Sequence, residues 1–323
     1  KGIVAISGND KEIRDVDIDR VIDAAKAVAI PMDREILHIV PQRFTVDNQK
    51  GIRYPIGMVG TRLECQIHIL TSPISSIQNV IKSMSRAGLE IRDIVLQNIA
   101  SSRAILAEDE KELGVLMLDI GSETVKASIY CNQAPYYNTI YSFGGYLITN
   151  DLAHGLKIPF STAEKLKIAF GIAYEGYVEE NETIQIPNVG GRMPRVLARA
   201  NLIHIIKPRV EEFFNIIKED IKEKGFIDKI SGGIVLTGGT SLLPGIVEVC
   251  QDVFDVQTRV GHSPKFMGLG DQILTPEYSV ASGLILWGYE RNNKTTDLST
   301  KNRKDESKKN IMDVIKDLIN KLF

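Results

Sequence analysis

The sequence predicts a layered α/β fold of more than one domain. Three observations carry that expectation: the chain's length, the alternation of apolar strand runs with helical runs, and glycine pairs at the joins between them. With 323 residues, 43% hydrophobic and 25% charged, the composition is that of an ordinary globular protein. At roughly 150 residues per domain there is material for two. A formal net charge of -2 excludes a chain-wide polyanion binder, so no nucleic-acid partner is expected. Cys65, Cys131 and Cys250 are widely spaced without C-x-x-C, and five histidines lack metal-ligand spacing; a reducing cytoplasm fits best and no metal cluster is expected. The chain begins at Lys1 within a strand-like run and without an initiator Met, which suggests a fragment whose beginning is missing.

The elements follow in order. Ile3 to Ser7 predicts a strand, and Asp17 is placed to cap a helix whose Ile18, Val21, Ile22, Ala25 and Val28 share one face before Pro31. Glu35 to Asp47 reads as extended, and Leu63, Cys65, Ile67 and Ile69 alternate with polar residues as a half-buried strand requires. From Ser75 a helix is expected to carry Ile77, Val80, Ile81, Met84 and Ala87 inward and to stop at Gly88. The apolar run Gly114 to Gly121 predicts a buried strand, followed by strands over Lys126 to Tyr130 and Tyr136 to Ser142 and a helix over Gly145 to Leu156. Ser161-Thr162-Ala163-Glu164 has the spacing of a capping box and predicts a helix to Phe170.

Thr183 to Pro187 is a short extended run. Leu197 to Lys224 predicts one long helix that Pro208 interrupts or kinks. Gly232 to Leu236 is a glycine-led strand, Ser241 to Phe254 a helix with Pro244 in its first turn, and Glu277 to Glu290 the last core helix. Residues 291–307 hold one apolar residue, Leu298, and read as a flexible linker. Beyond it, Ile311, Met312, Ile315, Leu318, Ile319, Leu322 and Phe323 lie on one helical stripe flanked by lysines, the pattern of a helix that lies in a membrane surface; a docked core helix or a partner-binding helix is also compatible.

Three junctions suggest chemistry. Asp119 ends a buried strand before the turn Gly121 to Thr124, where a carboxylate can hold Mg²⁺ directly or through water and backbone N–H groups can meet phosphate. Thr237-Gly238-Gly239-Thr240 joins a strand to a helix start, and Gly144-Gly145 repeats the arrangement. Three such joins point to a nucleotide cleft, although each alone is also an ordinary tight turn.

At these residues the chain resembles the actin-like ATPase family, and within it the bacterial cell-division FtsA branch. D-I-G at 119–121, F-G-G-x-x-I-T-N-D at 143–151, A-E-K-L-K at 163–167 and G-I-V-L-T-G-G-T at 233–240 carry the resemblance, together with HIVPQRFTVDNQ at 38–49, PIGMVGTRLE at 55–64 and the tail. The resemblance implies an actin-like (ribonuclease H-like) two-lobed α/β fold with a small α+β domain, incomplete at the N-terminus. Residues 1–71 would form the small domain. Residues 72–112 with 273–290 would be the remainder of the first lobe, 113–147 with 230–272 the nucleotide-binding core of the second, 148–229 its outer subdomain, 291–307 the linker and 308–323 the membrane helix.

It further implies ATP with Mg²⁺: Asp119, Gly121 and Thr124 in the second phosphate loop with Asp119 near the metal through water, Gly144 and Gly145 lining the nucleotide, Glu164 and Lys167 at ribose and base, and Gly238, Gly239 and Thr240 in the adenosine motif. The first phosphate loop would precede Lys1, so weak ATP binding and at most slow hydrolysis are expected. The implied role is an adaptor at the division site on the cytoplasmic face of the membrane, self-assembling into filaments, docking the C-terminal tail of FtsZ near Arg209 and meeting other division proteins. A pilus-assembly adaptor of the PilM kind and a sugar-kinase-like phosphotransferase are the alternatives. The chain departs from the family pattern at Ser122 and Glu123, which replace glycines, and at Lys126, which replaces an Asp.

Overall fold

The computed structural model describes residues 1–8, 10–179, 181–186, 193–264, 266 and 271–291. The tail residues 308–323, with the whole apolar stripe from Ile311 to Phe323, lie outside the described residues, as does most of the linker.

Residues 1–73 build a four-stranded antiparallel sheet of order β1-β4-β2-β3, from β1 (Gly2–Ala5), β2 (Arg34–Val46), β3 (Gln49–Ile52) and β4 (Arg62–Pro73). Helix α1 (Asp15–Lys26) lays Val21 and Ala25 against it, and Ile6, Ile13, Leu63 and Cys65 complete a small core. Asp17 is the third helical residue instead of the cap; its carboxylate still accepts the Arg14 backbone N–H at 3.2 Å, so it closes the first turn from inside. Strand β3 went unseen in the sequence because four residues, QKGI, carry no alternation.

Helix α2 (Ile74–Arg86) forms where its period places it and ends before Gly88, but the expected inward face stays at the surface. Only Ile77 is buried, while Val80, Ile81 and Met84 remain 49%, 37% and 40% exposed. Two further helices, α3 (Gln97–Ile105) and α4 (Glu108–Leu113), lead into the second sheet.

That sheet has the order β11-β10-β5-β6-β7, from β5 (Val115–Ile120), β6 (Val125–Cys131), β7 (Ala134–Tyr141), β10 (Ile234–Thr237) and β11 (Thr258–Val260). β5, β10 and β11 are parallel, whereas β5, β6 and β7 form an antiparallel meander. Every residue of β5 and β10 is buried, as expected for central strands covered on both faces. Helices α5 (Gly145–Leu156), α6 (Phe160–Phe170), α7 (Ile203–Glu223) and α8 (Ile246–Phe254) enclose the main core, with Ile148, Leu152, Ile206, Phe214 and Ile217 at its centre. A short ribbon of β8 (Thr183–Ile186) and β9 (Arg195–Ala198) sits on the outer part.

Three expected helices begin differently. The stretch from Leu197 is strand β9, then a 3-10 turn (Arg199–Leu202), and only then α7, which continues through Pro208. Ser241 belongs to a 3-10 turn (Gly239–Leu242), and α8 starts after Pro244. A 3-10 turn (Pro276–Tyr278) precedes the last helix, α9, over 279–291. In each case a proline or a strand-pairing partner takes the place of the first helical turn.

Candidate functional site

Parallel β5 and β10 run side by side with Asp119 opposite Thr237, so both strands release their carboxyl ends at one edge of the sheet. Ligands of open α/β sheets gather at such edges. All three glycine junctions meet here. Gly121 N–H donates to Thr124 O at 3.0 Å, closing the β5–β6 turn. The carbonyls of Gly121 and Ser122 then point at α5: Gly145 N–H donates to Gly121 O at 3.0 Å and Tyr146 N–H to Ser122 O at 2.7 Å. Thr240 Oγ1 donates to Gly121 O, also at 3.0 Å, tying the third junction to the first across 119 residues.

Two of these glycines have no substitute. A Cβ on Gly144 would stand 2.6 Å from the carbonyl oxygens of both Gly121 and Ser122. Gly238 has φ +84°, and its Cβ would stand 2.5 Å from Asp119 Oδ1. Gly239 is different, since its Cβ would meet nothing closer than Glu277 Oε1 at 3.7 Å.

On the outer wall, Lys167 Nζ donates to Gly145 O at 3.1 Å, Thr149 Oγ1 at 2.8 Å and Glu164 Oε2 at 2.8 Å. Thr149 Oγ1 also bonds Glu164 Oε2. The expected capping box is therefore not formed. Glu164 turns to the ammonium three residues on, in the next turn of α6, and the helix starts at Phe160 with Pro159 ahead of it. Burial alone would raise the Glu164 carboxyl, but the hydrogen bonds from Lys167 and Thr149 and the Lys167 charge outweigh it and hold it below its ordinary value.

Asp119 is 6% exposed, and burial pushes its carboxyl upward, partly opposed by Lys126. Lys126 Nζ lies 3.9 Å from Asp119 Oδ2. As a metal site the donor set is sparse: one carboxylate with an ammonium beside it, and among the described residues no group of three or more acidic, histidine or cysteine side chains forms a metal cluster. One carboxylate suits a metal that arrives on phosphates and keeps its waters. Glu123 is exposed at the turn.

The ten residues expected to bind nucleotide are thus brought together beside the carboxyl ends of β5 and β10: Asp119, Gly121, Thr124, Gly144, Gly145, Glu164, Lys167, Gly238, Gly239 and Thr240. Arg209 lies apart on α7, clamped by Asp151 through Nε and Nη2 and by Glu212, so it is an engaged cation and not merely a solvated one. Sequence reasoning missed Thr149, although its spacing of four from Gly145 puts both on one face of α5. It also missed Pro276, whose carbonyl accepts Thr237 Oγ1 at 3.0 Å and Gly238 N–H at 3.3 Å; no local pattern marks it.

The sheet order, the glycine-lined edge and the added small domain define the class as an actin-like protein. Solved structures agree at the level of fold: MreB5 of Spiroplasma citri bound to ADP has a TM-score of 0.55 at 17% identity, covering 69% of this chain and 66% of that one. A PilM-PilN type IV pilus biogenesis complex has a TM-score of 0.56 at 16% identity, covering 89% of this chain and 76% of that one. Within the class, the family described as "Cell division protein FtsA" matches residues 116–283, and "SHS2 domain inserted in FTSA" matches residues 1–71. The cell division protein FtsA of Borreliella burgdorferi is 42% identical over 93% of this chain and 74% of its own length; that of Pseudomonas aeruginosa is 41% identical over 90% and 69%. FtsA of Escherichia coli K12 is 34% identical over 90% and 70%. The chain belongs to the FtsA family of actin-like cell-division proteins.

Proposed function

We propose that this chain is an ATP-binding adaptor of cell division, and the observation that carries the proposal is the meeting of three glycine junctions from distant parts of the sequence along one strand edge. The turn Gly121 to Thr124 and the N-terminus of α5 at Gly144 and Gly145 face the phosphates, Glu164 and Lys167 the ribose and base, and Gly238, Gly239 and Thr240 the adenosine. The Gly145 and Tyr146 N–H groups already donate to Gly121 and Ser122, so at α5 phosphate is favoured by the positive end of the helix and by the close approach that glycine permits. Mg²⁺ would reach the site only as a counter-ion carried on the phosphates, with Asp119 as the carboxylate available to it. A relative in fold, MreB5, was solved with ADP, which supports a nucleotide here.

The adaptor role extends this reading. Nucleotide steadies the second lobe and favours self-assembly, arraying the tail helices 308–323 so that weak contacts of Ile311, Met312, Ile315, Leu318, Ile319, Leu322 and Phe323 with anionic lipid add by avidity. The protein then sits on the cytoplasmic face of the membrane at the division site, holding the C-terminal tail of FtsZ on the outer subdomain near Arg209. Among the described residues no helix is long and apolar enough to cross a membrane.

One flotation experiment with anionic liposomes tests both halves. The chain floats, and ATP increases the floating fraction. Leu318→Glu abolishes flotation with or without ATP, and Lys167→Ala loses only the ATP increment. Equal flotation of the Leu318→Glu protein removes the anchor; an undiminished ATP increment in the Lys167→Ala protein removes the nucleotide site.

A further inference from the structure

Asp119 and Lys126 are directly opposed across the antiparallel pair β5 and β6, so both side chains leave the sheet on the same face. Their charged atoms are 3.9 Å apart, with side chains 8% and 19% exposed respectively. Among the described residues neither has a second ion-pair partner, which contrasts with Glu164 and Lys167, joined at 2.8 Å and saturated by Thr149 and Gly145. Asp119 Oδ1 borders Gly238, where the first and third junctions meet.

The consequence is electrostatic. A divalent ion is drawn by uncompensated negative charge, and an ammonium beside the carboxylate cancels that charge and repels the incoming cation. The same ammonium, set at a low-dielectric edge, attracts phosphate oxygens. We propose that Lys126 is a resident cation that takes over the charge-neutralising role of a divalent metal at Asp119, so that nucleotide binding by this chain depends little on Mg²⁺. The proposal rests on the nucleotide reading above, and it assigns the phosphate-facing charge to a side chain of the protein itself.

The test separates metal from nucleotide. Mn²⁺ binding is measured by electron paramagnetic resonance on the whole chain without nucleotide, for the unaltered protein and for Lys126→Met and Lys126→Arg. Removing the ammonium raises Mn²⁺ affinity about tenfold, the scale on which one nearby charge acts on a partly buried carboxylate, whereas the arginine variant behaves as the parent. Adding Asp119→Asn to Lys126→Met abolishes the gain. In the second arm, the ATP dissociation constant of the parent changes less than about threefold between Mg²⁺ and EDTA, and that of Lys126→Met changes about tenfold or more. Equal Mn²⁺ affinity of parent and Lys126→Met overturns the proposal, as does a parent whose ATP binding collapses in EDTA. Should no variant bind ATP, the nucleotide reading falls, and the Mn²⁺ arm still decides whether Lys126 blocks the metal.

Discussion

Helices α2 and α7 carry the same kind of stripe and meet opposite fates. Along α7, Ile203, Ile206, Val210, Phe213, Phe214, Ile217 and Ile221 are all buried, and all but Ile203 belong to the main core. Along α2 the spacing is equally regular, yet Ile77 alone is buried and its neighbours remain at the surface. Period 3.6 defines a face; it does not supply what covers it. The lobe built on β5 and β10 therefore closes on itself, with α3 packed on it through Ile105 and the Ser102–Tyr130 hydrogen bond, whereas α2 leaves most of its stripe at the surface.

The largest expected effect tests that difference directly. Phe214→Ala should lower the unfolding free energy by about 3–5 kcal/mol, the range for emptying a buried aromatic site. Ile81→Lys on α2 should change it by no more than about 0.5 kcal/mol, as a surface substitution does. Urea unfolding of both variants measures the contrast. A large loss for Ile81→Lys would show that the α2 face is covered in solution.

A smaller effect, about 1–3 kcal/mol, is expected inside the closed lobe from Gly238→Ala, because the residue must keep a left-handed backbone while its Cβ displaces Asp119. Gly239→Ala, one position on, should be nearly neutral, since its Cβ reaches only ordinary contact distance. Thermal melts of the pair check this, and equal destabilisation by both would mean that the turn is rigid throughout.

That pair also shows what the sequence could and could not tell. Gly238-Gly239 is legible as a turn after a strand, but which glycine is indispensable depends on Asp119 arriving from a segment 119 residues away, which no local pattern records. The β5 to α5 run reads well because its strands are continuous apolar blocks and its turns are marked by glycine. The start of α6 reads wrongly for a definable reason. Glu164 has two suitors, the helix N-terminus and Lys167, and the lysine wins because Thr149 on α5 supports it. Leu197 and Ala198 read as the start of a helix because Arg195–Ala198 has no alternation of its own and exists as β9 through its pairing with β8. The α2 face shows the same limit: the stripe was plain, its neighbour was not.

The smallest expected effect concerns how the start of α3 is held to the small domain. His38 on β2 accepts the Leu96 backbone N–H through Nε2 at 3.0 Å and packs edge-on against Trp287 of α9, with ring centroids 5.4 Å apart. Burial pushes its pKa below the ordinary value of 6.5; Asp93 opposes this, and Arg103 and Arg291 add to it. The folded state thus favours neutral imidazole, the form that can accept the Leu96 N–H. A group with a depressed imidazole pKa stabilises fully above its unfolded value, and that contribution is lost as pH falls through 6.5 toward the folded value. Between pH 7.5 and 5 the hydrogen-exchange protection factor of the Leu96 amide should therefore decline, by an amount equivalent to at most about 1 kcal/mol. Amides of β5, deep in the closed lobe, should keep theirs. His38→Phe should start with lower protection at Leu96, because the acceptor is gone, and should show no decline with pH. A Leu96 protection factor that stays constant across this range in the parent would mean that the start of α3 is held by something other than the neutral imidazole.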